Sequence, residues 1–354
     1  MQSPLKHSTF APRLIAWQQQ FGRHSLPWQG GAEGDAYPVW LSEVMLQQTQ
    51  VETVIPYFQR FLTSFPDLET LAGAHEDAVL GHWAGLGYYS RARNLHAAAR
   101  QVVAEHDGKF PQAIEAILAL PGVGRSTAAA ISAFAFGQRR AILDGNVKRV
   151  FARVFGIEGW SGEKSVENQL WALAESLLPD TDIRAYTQGL MDLGATLCTR
   201  GKPRCERCPF ADECIANIQG RQRELPTARP KKNMPEKSTA MLVLLNAGEV
   251  LLEKRPNSGI WGGLWSLPEF VDQEDPLQVA AQLGYQVARV GELPGELPAF
   301  KHTFTHFHLF IQPWRLQVCR SPVAAEPGRI WLSLDDLEGA ALPTPVRRIL
   351  ESLK

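Results

Sequence analysis

The chain has 354 residues, of which 45% are hydrophobic, and its net charge is −1 at neutral pH. This is enough apolar material for two or three domains with cores of their own. No apolar run is long enough to span a bilayer, and the first residues lack the apolar stretch of a signal peptide, so we expect a soluble cytoplasmic protein. The near-zero net charge neither favours nor excludes a nucleic-acid partner.

The first part of the chain is predicted to be helical. Apolar residues recur at helical spacing over residues 10–21, and a Leu-Pro-Trp sequence at residues 26–28 ends that helix. A second helix is predicted from residue 39 to about residue 62, with Glu43 near its start. The neighbours of this glutamate are apolar: Trp40, Leu41, Val44 and Met45. A lone helical glutamate is usually a solvated surface residue, but a carboxyl group among such neighbours keeps its proton nearer to neutral pH and is a candidate general acid.

Residues 68–106 again have helical periodicity, which glycines, two tyrosines and two arginines interrupt at residues 85–93. A plain helix connection would pack the tyrosines and leave the arginines in solvent. Alternatively, an aromatic side chain held by a tight turn enters a stack of bases while the arginines contact phosphates. The residues alone leave both interpretations open.

Residues 114–137 are predicted to form two helices joined by the turn Pro-Gly-Val-Gly at residues 121–124. Glycines let backbone N–H groups approach an anion, and the second helix directs its positive end to the same point, which suits a DNA phosphate. An ordinary helical hairpin would explain this turn equally well. Between residues 125 and 153, six basic residues stand against one acid, Asp144, which we place in a loop beside Gly145 and Asn146. We therefore expect a strongly positive surface here.

Four of the five cysteines lie close together after two further predicted helices, at residues 164–178 and 183–197. They are Cys198, Cys205, Cys208 and Cys214. With Cys319 far away, this clustering argues against a disulfide scaffold and for a metal or cluster site. Ligand softness does not separate zinc from an iron–sulfur cluster. The spacing, with six, two and five intervening residues, differs from the two close pairs of most structural zinc sites and resembles the 4Fe-4S loop of endonuclease III.

Residues 225–238 are rich in proline and basic side chains, which predicts an extended linker and a domain boundary. Beyond it, β-type runs are predicted at residues 239–245, 250–255 and 302–318, with a helix at residues 275–283.

The C-terminal part resembles the Nudix fold but lacks the residues of its hydrolase site. That site places an Arg-Glu and a Glu-Glu pair on a helix, where the carboxylates bind Mg²⁺ on a diphosphate substrate. When the pattern is aligned on Gly263, Glu269 and Gly284, other residues stand at those four positions. They are Leu277, Gln278, Ala281 and Gln282. We therefore expect this domain to bind its target without hydrolysing it, with Glu269 as a surface or structural residue.

The sequence Leu-Pro-Gly-Val-Gly at residues 120–124, followed twenty residues later by Asp144, resembles the helix-hairpin-helix and Gly/Pro-Asp signature of base-excision DNA glycosylases. Within that superfamily the chain resembles the adenine DNA glycosylase (MutY) family over almost its whole length. The resemblance implies a multidomain protein with a mostly α-helical glycosylase domain at residues 1–224. That domain contains the hairpin at residues 114–137 and the 4Fe-4S loop at residues 198–214. The linker then joins it to a Nudix-like α+β domain at residues 239–354.

The resemblance also implies roles for individual side chains. Glu43 is expected to protonate the adenine, Asp144 to stabilise the sugar cation, and Asn146 to orient Asp144. Trp28 and Gln188 are expected to line the adenine pocket. Contacts to DNA are implied for Gln48, Tyr88, Gly122, Gly124, Arg125 and Ser126. Recognition of 8-oxoguanine is implied for Phe304, Thr305 and His306, with Thr305 standing where serine is more usual.

The implied activity is hydrolysis of the N-glycosidic bond of adenine opposite 8-oxoguanine or guanine in double-stranded DNA. The adenosine must leave the helix to be reached. We expect a monomer without membrane contact that associates with the nucleoid.

Two other functions remain. A bifunctional glycosylase/lyase is disfavoured because Ser126 stands where such enzymes carry the lysine that forms a Schiff base. A non-catalytic lesion-binding protein is disfavoured because both carboxyl groups are present.

Overall fold

The computed structural model describes residues 5–30, 34–230, 233–271, 273–287, 294–319 and 327–354. The chain forms two compact units, one of Met1–Gly73 with Asn94–Lys231 and the other of Ala74–Arg93 with Lys232–Lys354. Residues 231 and 232 of the predicted linker lie outside the described residues. Among the described helices, none has the length and apolar character needed to cross a membrane.

Helices dominate the chain as far as residue 218, as the periodicity predicts. They are α1 (His7–Phe21), α2 (Ala36–Leu46), α3 (Val51–Ser64), α4 (Leu68–Gly73), α5 (Glu76–Trp83), α6 (Ser90–Glu105), α7 (Ile114–Leu118), α8 (Arg125–Phe136), α9 (Gly145–Val154), α10 (Lys164–Ser176), α11 (Ile183–Asp192) and α12 (Ile215–Ile218). A 3₁₀ turn at Pro27–Gln29 follows α1, and a π-helical turn at Leu193–Leu197 extends α11 to the first cysteine.

The predicted continuous helix from residue 39 to about residue 62 is wrong, because the chain breaks between α2 and α3. Gln48, in the break, has φ +61°. A residue other than glycine in the left-handed region costs about 1–3 kcal/mol and persists only where its surroundings enforce it. No glycine or proline marks this break, so the hydrophobic pattern alone runs through it.

The core of the helical unit joins the elements that carry the site. Phe10 of α1 stacks on Phe210 of the cysteine-rich segment, with ring centroids 4.5 Å apart. The same ring meets Phe151 of α9 at 5.8 Å and Tyr186 of α11 at 6.4 Å. All four side chains are almost completely buried. Helix α9 and the cysteine-rich segment are therefore anchored to one common cluster.

The hairpin between α7 and α8 has the predicted tight turn. Gly122 has φ +77°, and a Cβ at this position would lie 2.7 Å from the Cβ of Asn94. Gly124 is the N-cap of α8 and has open space around it. The alanine-rich face of α8 is buried, which fixes the hairpin against the core.

The second unit is built around a mixed β-sheet, as predicted for the C-terminal half. Its strands are β1 (Glu236–Asn246), β2 (Glu249–Lys254), β3 (Trp265–Ser266), β4 (Glu269–Phe270), β5 (Gln286–Val287), β6 (Gly295–Glu296), β7 (Phe300–Thr303), β8 (His308–Cys319) and β9 (Arg329–Ser333). Strands β1 and β8 run parallel, with Glu236 opposite His308 and Leu245 opposite Gln317.

Alternate residues of β1 enter two cores on opposite faces of the sheet. Met241 and Val243 pack with helix α14 (Thr344–Glu351), whereas Leu242 and Leu244 pack with helix α13 (Pro276–Gln282). This alternation is the period of two that a strand imposes on its side chains.

The predicted strand at residues 302–318 is two strands. Strand β7 ends at Thr303, and β8 begins at His308 and pairs with β7 antiparallel. Between them, the Phe304 N–H donates to the Phe307 carbonyl at 2.9 Å. Residues 304–307 contain no glycine or proline, and phenylalanine and threonine favour strands, so the sequence reads as one strand.

Candidate active site and cluster loop

A cavity of about 470 Å³ opens in the helical unit, and it brings together three of the predicted site residues. Glu43, Trp28 and Gln188 all line it. The Trp28 indole is buried and meets the ring of Phe58 edge-on, with centroids 5.4 Å apart. Apolar side chains complete much of the wall: Pro38, Val39, Leu46, Val51, Phe134 and Met191. A cavity of this size, with apolar walls and polar groups side by side, suits a flat organic ring with polar edges such as a base.

The amide of Gln188 is held in place from behind the cavity. Its Nε2 donates to Oδ1 of the fully buried Asp192 at 2.8 Å. Asp192 also accepts from the Nε of Arg23 at 2.7 Å and from the Arg23 backbone N–H at 2.8 Å. The amide therefore cannot turn without losing a buried hydrogen bond. Neither Arg23 nor Asp192 was predicted from the sequence, because 169 residues separate them and neither belongs to a recognisable motif.

The Glu43 side chain is half-buried at the wall of the cavity. Burial, and secondly the nearby charge of Asp144, raises the pKa of Glu43 to about 8. Within the described part of the chain, no hydrogen bond reaches this carboxyl that would stabilise its anion. Glu43 therefore holds a proton at neutral pH and can donate it to a group in the cavity.

Asp144 is the last residue of the predicted loop, and it is the N-cap of α9. Its Oδ1 accepts from the Val147 N–H at 2.8 Å, and its Oδ2 accepts from Nδ2 of Asn146 at 3.1 Å. Gly145 and Asn146 are the first two residues of the helix. An aspartate at this position satisfies free N–H groups and lies at the positive end of the helix. The sequence Asp-Gly-Asn suggests a turn equally well, so the start of the helix at Gly145 was not predicted.

The two carboxyl groups differ in their surroundings. Burial raises the pKa of Asp144 above its ordinary value, whereas the hydrogen bonds from Val147 and Asn146 and the charge of Arg149 lower it. Glu43 receives no such compensation. When the pair shares one proton, the proton is therefore on Glu43 and the negative charge is on Asp144.

Ser126 connects the hairpin to the segment that carries Asp144. Its Oγ accepts from the Leu143 N–H at 3.0 Å. The hydroxyl hydrogen of Ser126 remains available to another acceptor, such as a phosphate oxygen. The side chain predicted to contact DNA thus also fixes the residue before Asp144.

Asn146 is joined to the cysteine-rich segment through one arginine. The Asn146 Oδ1 accepts from Nη2 of Arg149 at 2.8 Å, and the Arg149 Nε donates to the Cys198 carbonyl at 2.7 Å. The partner of Asp144 and the first cysteine therefore share one guanidinium group. Arg149 is one of the six basic residues of the predicted positive surface, and this bridging position was not predicted.

The four clustered thiols suit an iron–sulfur cluster. Cys198, Cys205, Cys208 and Cys214 line one small cavity, and Nη1 of Arg153 lies 3.4 Å from the Cys198 Sγ. Burial raises the pKa of the Cys208 thiol to about 12. Iron held by the four sulfurs would offset that cost and keep them as thiolates. Soft sulfur donors on a common wall are the ligand set that such a cluster requires.

The residues predicted to contact DNA lie in both units. Gln48 of the helical unit is exposed at φ +61°, and Tyr88 of the second unit is 46% exposed at φ +48°. Exposed side chains on strained backbone are typical of binding sites. Gly122 and Gly124 are exposed at the hairpin turn, and Arg125 follows them at the start of α8.

The positive charge of the hairpin region is smaller than predicted. Acidic residues from α10 and the turn after it pair with its basic side chains. The pairs are Arg125 with Glu175, Arg139 with Asp180 at 3.3 Å, and Lys148 with Glu167 at 2.8 Å. The acids lie outside residues 125–153, so a count of charges along that stretch overlooks them.

The predicted lesion-recognition residues lie at the β7–β8 turn of the second unit. Phe304 stacks on Phe307, with centroids 4.5 Å apart and planes at 20°. Thr305 and His306 are exposed beside it, and the Thr305 Oγ1 lies 3.4 Å from Nδ1 of His306. The turn thus presents one hydroxyl and one imidazole next to an anchored aromatic ring.

Three family models match parts of the chain. Residues 41–176 match the HhH-GPD superfamily of base excision DNA repair proteins, and residues 198–214 match the iron–sulfur binding domain of endonuclease III. Residues 240–352 match the NUDIX domain. The matched segments contain the two carboxyl groups, the four clustered cysteines and the β7–β8 turn, respectively.

Individual relatives match over nearly the full length. An adenine DNA glycosylase of Buchnera aphidicola is 36% identical over 98% of this chain and 97% of the relative. The human adenine DNA glycosylase is 36% identical over 97% of this chain and 73% of the relative. The solved structure of a thermostable thymine-DNA glycosylase is 30% identical, with a TM-score of 0.53, and covers 60% of this chain and 97% of that protein.

Proposed function

The chain belongs to the adenine DNA glycosylase family, and from this membership and the site geometry we propose that it removes adenine opposite 8-oxoguanine or guanine. It is a DNA-binding, monofunctional glycosylase of base excision repair that carries a 4Fe-4S cluster. We assign the chemistry to residues 1–224 and the reading of the opposite base to residues 239–354. We further propose that it acts on double-stranded DNA as a monomer.

The observation that carries the proposed mechanism is the unequal pair of carboxyl groups. The flipped adenine enters the cavity beside Trp28 and Gln188, and protonated Glu43 donates its proton to a ring nitrogen. The glycosidic bond then breaks as positive charge develops on the sugar. Ionised Asp144, oriented by Asn146, stabilises this oxocarbenium-like cation until water adds to it.

Products of the wild-type reaction test the proposal. In a single-turnover assay on a duplex with A opposite 8-oxoguanine, free adenine should appear while the strand stays intact until alkali is added. Borohydride should trap little covalent complex, because Ser126 cannot form an imine. Strand cleavage without alkali together with efficient trapping would show a lyase. Tight binding of the duplex without adenine release would instead show a non-catalytic lesion-binding protein.

Opposite-base recognition by the β7–β8 turn gives a second prediction. Thr305→Ala or Phe304→Ala should lower the excision ratio of A opposite 8-oxoguanine over A opposite G, and should leave the rate on A opposite G nearly unchanged. A polar contact to a base edge discriminates by about 1–3 kcal/mol, so we expect a loss of roughly 5-fold or more. Both duplexes must be measured at one salt concentration because affinity for DNA depends strongly on salt. An unchanged ratio in both variants would remove this turn from lesion recognition.

Hydrolysis by the NUDIX domain is not part of the proposal. The four positions that carry acidic or basic residues in the hydrolase pattern are occupied here by apolar or amide residues, all of them on α13. Glu269 is paired with Arg255 and so has a structural partner. We therefore propose that the domain binds DNA without Mg²⁺-dependent hydrolysis.

A further inference from the structure

Phe304 is surrounded by aromatic side chains of the second unit. Phe307 stacks on it, and His302 meets it edge-on, with centroids 4.7 Å apart. A further contact comes from Trp261, whose ring centroid lies 5.5 Å from that of Phe304 and 5.9 Å from that of His302. Trp261 belongs to the loop between β2 and β3 and is far from the turn in sequence. The position of Phe304 therefore depends on a second loop.

Trp261 is held in an unusual backbone conformation. Its φ is +55°, in the left-handed region that residues other than glycine rarely adopt. The Leu264 N–H donates to the Trp261 carbonyl at 3.1 Å, and the Gly263 N–H donates to the Pro256 carbonyl at 3.2 Å. These bonds close the loop on both sides of the tryptophan. The strain is thus maintained by the surrounding loop, as it is at many functional sites.

Arg93, which belongs to the same unit, braces this loop from the segment that carries Tyr88. Its guanidinium donates to the carbonyls of Gly262 and Asn257, the latter at 3.3 Å. On the indole itself, the Arg255 guanidinium carbon lies 5.6 Å from the ring centroid of Trp261. The direction of the indole is therefore fixed by its backbone and by a cation, not by burial alone, since Trp261 is only half-buried.

We propose that Trp261 determines specificity for the base opposite adenine by positioning Phe304. The inference rests on the proposed role of residues 304–306 in reading that base. Thr305 and His306 are exposed, so the direction of their polar groups follows from the anchored ring beside them. Without the indole, Phe304 keeps Phe307 and His302 but loses its contact from the β2–β3 loop. Thr305 and His306 would then be presented less accurately, and the preference for 8-oxoguanine would fall.

The test compares two substitutions of Trp261 in the full-length protein. Trp261→Gly removes the ring and suits the positive φ, whereas Trp261→Phe keeps an aromatic contact. We expect Trp261→Gly to lower the excision ratio of A opposite 8-oxoguanine over A opposite G by roughly 3- to 10-fold, the range expected from one aromatic pair. Trp261→Phe should stay within about 2-fold of wild type. Trp331→Leu is the matched control, because Trp331 is a half-buried tryptophan of strand β9 in the same unit and its ring meets that of Tyr285.

The double variant Trp261→Gly/Phe304→Ala separates the possible results. If Trp261 acts through Phe304, the double variant has the same ratio as Phe304→Ala alone. If the ratio of the double variant instead falls below that of Phe304→Ala by the factor lost in Trp261→Gly, the two residues act independently and the positioning role is overturned. An unchanged ratio for Trp261→Gly beside a lowered ratio for Phe304→Ala would overturn the inference and leave the recognition turn standing. An unchanged ratio for Phe304→Ala beside a lowered ratio for Thr305→Ala would also overturn the inference, and unchanged ratios for both variants would refute the recognition turn itself. Thermal melting checks folding, and Trp261→Asn, also tolerated at positive φ, replaces a glycine variant that melts early.

Discussion

Replacing Glu43 with glutamine is expected to reduce single-turnover adenine excision by about 10²–10⁴-fold, the range that a positioned general acid contributes. Glutamine preserves the size of the side chain but has no acidic proton to give. Affinity for the lesion duplex should change little, because contacts to phosphate supply most of it. Rates and affinities measured on the same duplex and at the same salt concentration check both statements.

The stability of the Glu43→Gln variant gives an independent check that Glu43 is protonated in the folded protein. The pKa of Glu43 is about 8 in the folded protein and ordinary in the unfolded chain, so the unfolded chain releases the proton at lower pH. Burial of Glu43 therefore costs stability that increases with pH from about 4.5 to about 8. Glu43→Gln should melt higher than wild type at pH 8 and no higher below pH 4.5. Glu52→Gln, at an exposed carboxyl of α3, should alter neither rate nor melting. Near-normal excision by Glu43→Gln would assign the acid to another group.

Asp144→Asn is the second substitution with a large expected effect. Asparagine is as good an N-cap as aspartate, so α9 should remain folded. What disappears is the negative charge that stabilises the sugar cation in the proposed mechanism, and removal of one such electrostatic contact costs about 10²–10³-fold or more in rate. Single-turnover excision and circular dichroism measure the two effects separately.

The matched control is Asp275→Asn. Asp275 caps α13 through a hydrogen bond from the Leu277 N–H at 3.0 Å, and it lies in the second unit. Its substitution removes the same charge from an N-cap and should leave the rate unchanged. If Asp144→Asn also kept a rate within tenfold of wild type, Asp144 would be a helix cap and nothing more.

The sequence predicted those features whose physical cause is local. The turn at residues 121–124 needs glycine, and four soft ligands within seventeen residues need a metal or cluster whatever the rest of the chain does. The environment of Glu43 was also predictable, because its apolar neighbours are on the same helix.

Features that depend on distant contacts were missed. The break at Gln48 is a strained conformation without a residue that signals it, and the N-cap role of Asp144 depends on where α9 begins. Arg149 appears in the sequence as one more cation, although in the structure it bridges Asn146 and Cys198. The contact between Trp261 and Phe304 could not be predicted either, because it joins loops more than forty residues apart.

The division of one proton between Glu43 and Asp144 is the central claim, and the pH dependence of adenine release tests it most directly. Single-turnover rates should be measured on a saturating duplex with A opposite 8-oxoguanine, with free adenine as the product followed. Because Glu43 must be protonated, the rate should fall about tenfold per pH unit above a pH of about 8. Because Asp144 must be ionised, the rate should also fall on the acidic side, at a pH above the ordinary range of an aspartate. A rate that stays constant from pH 7 to pH 9.5 would contradict the account, since a deprotonated Glu43 cannot donate the proton.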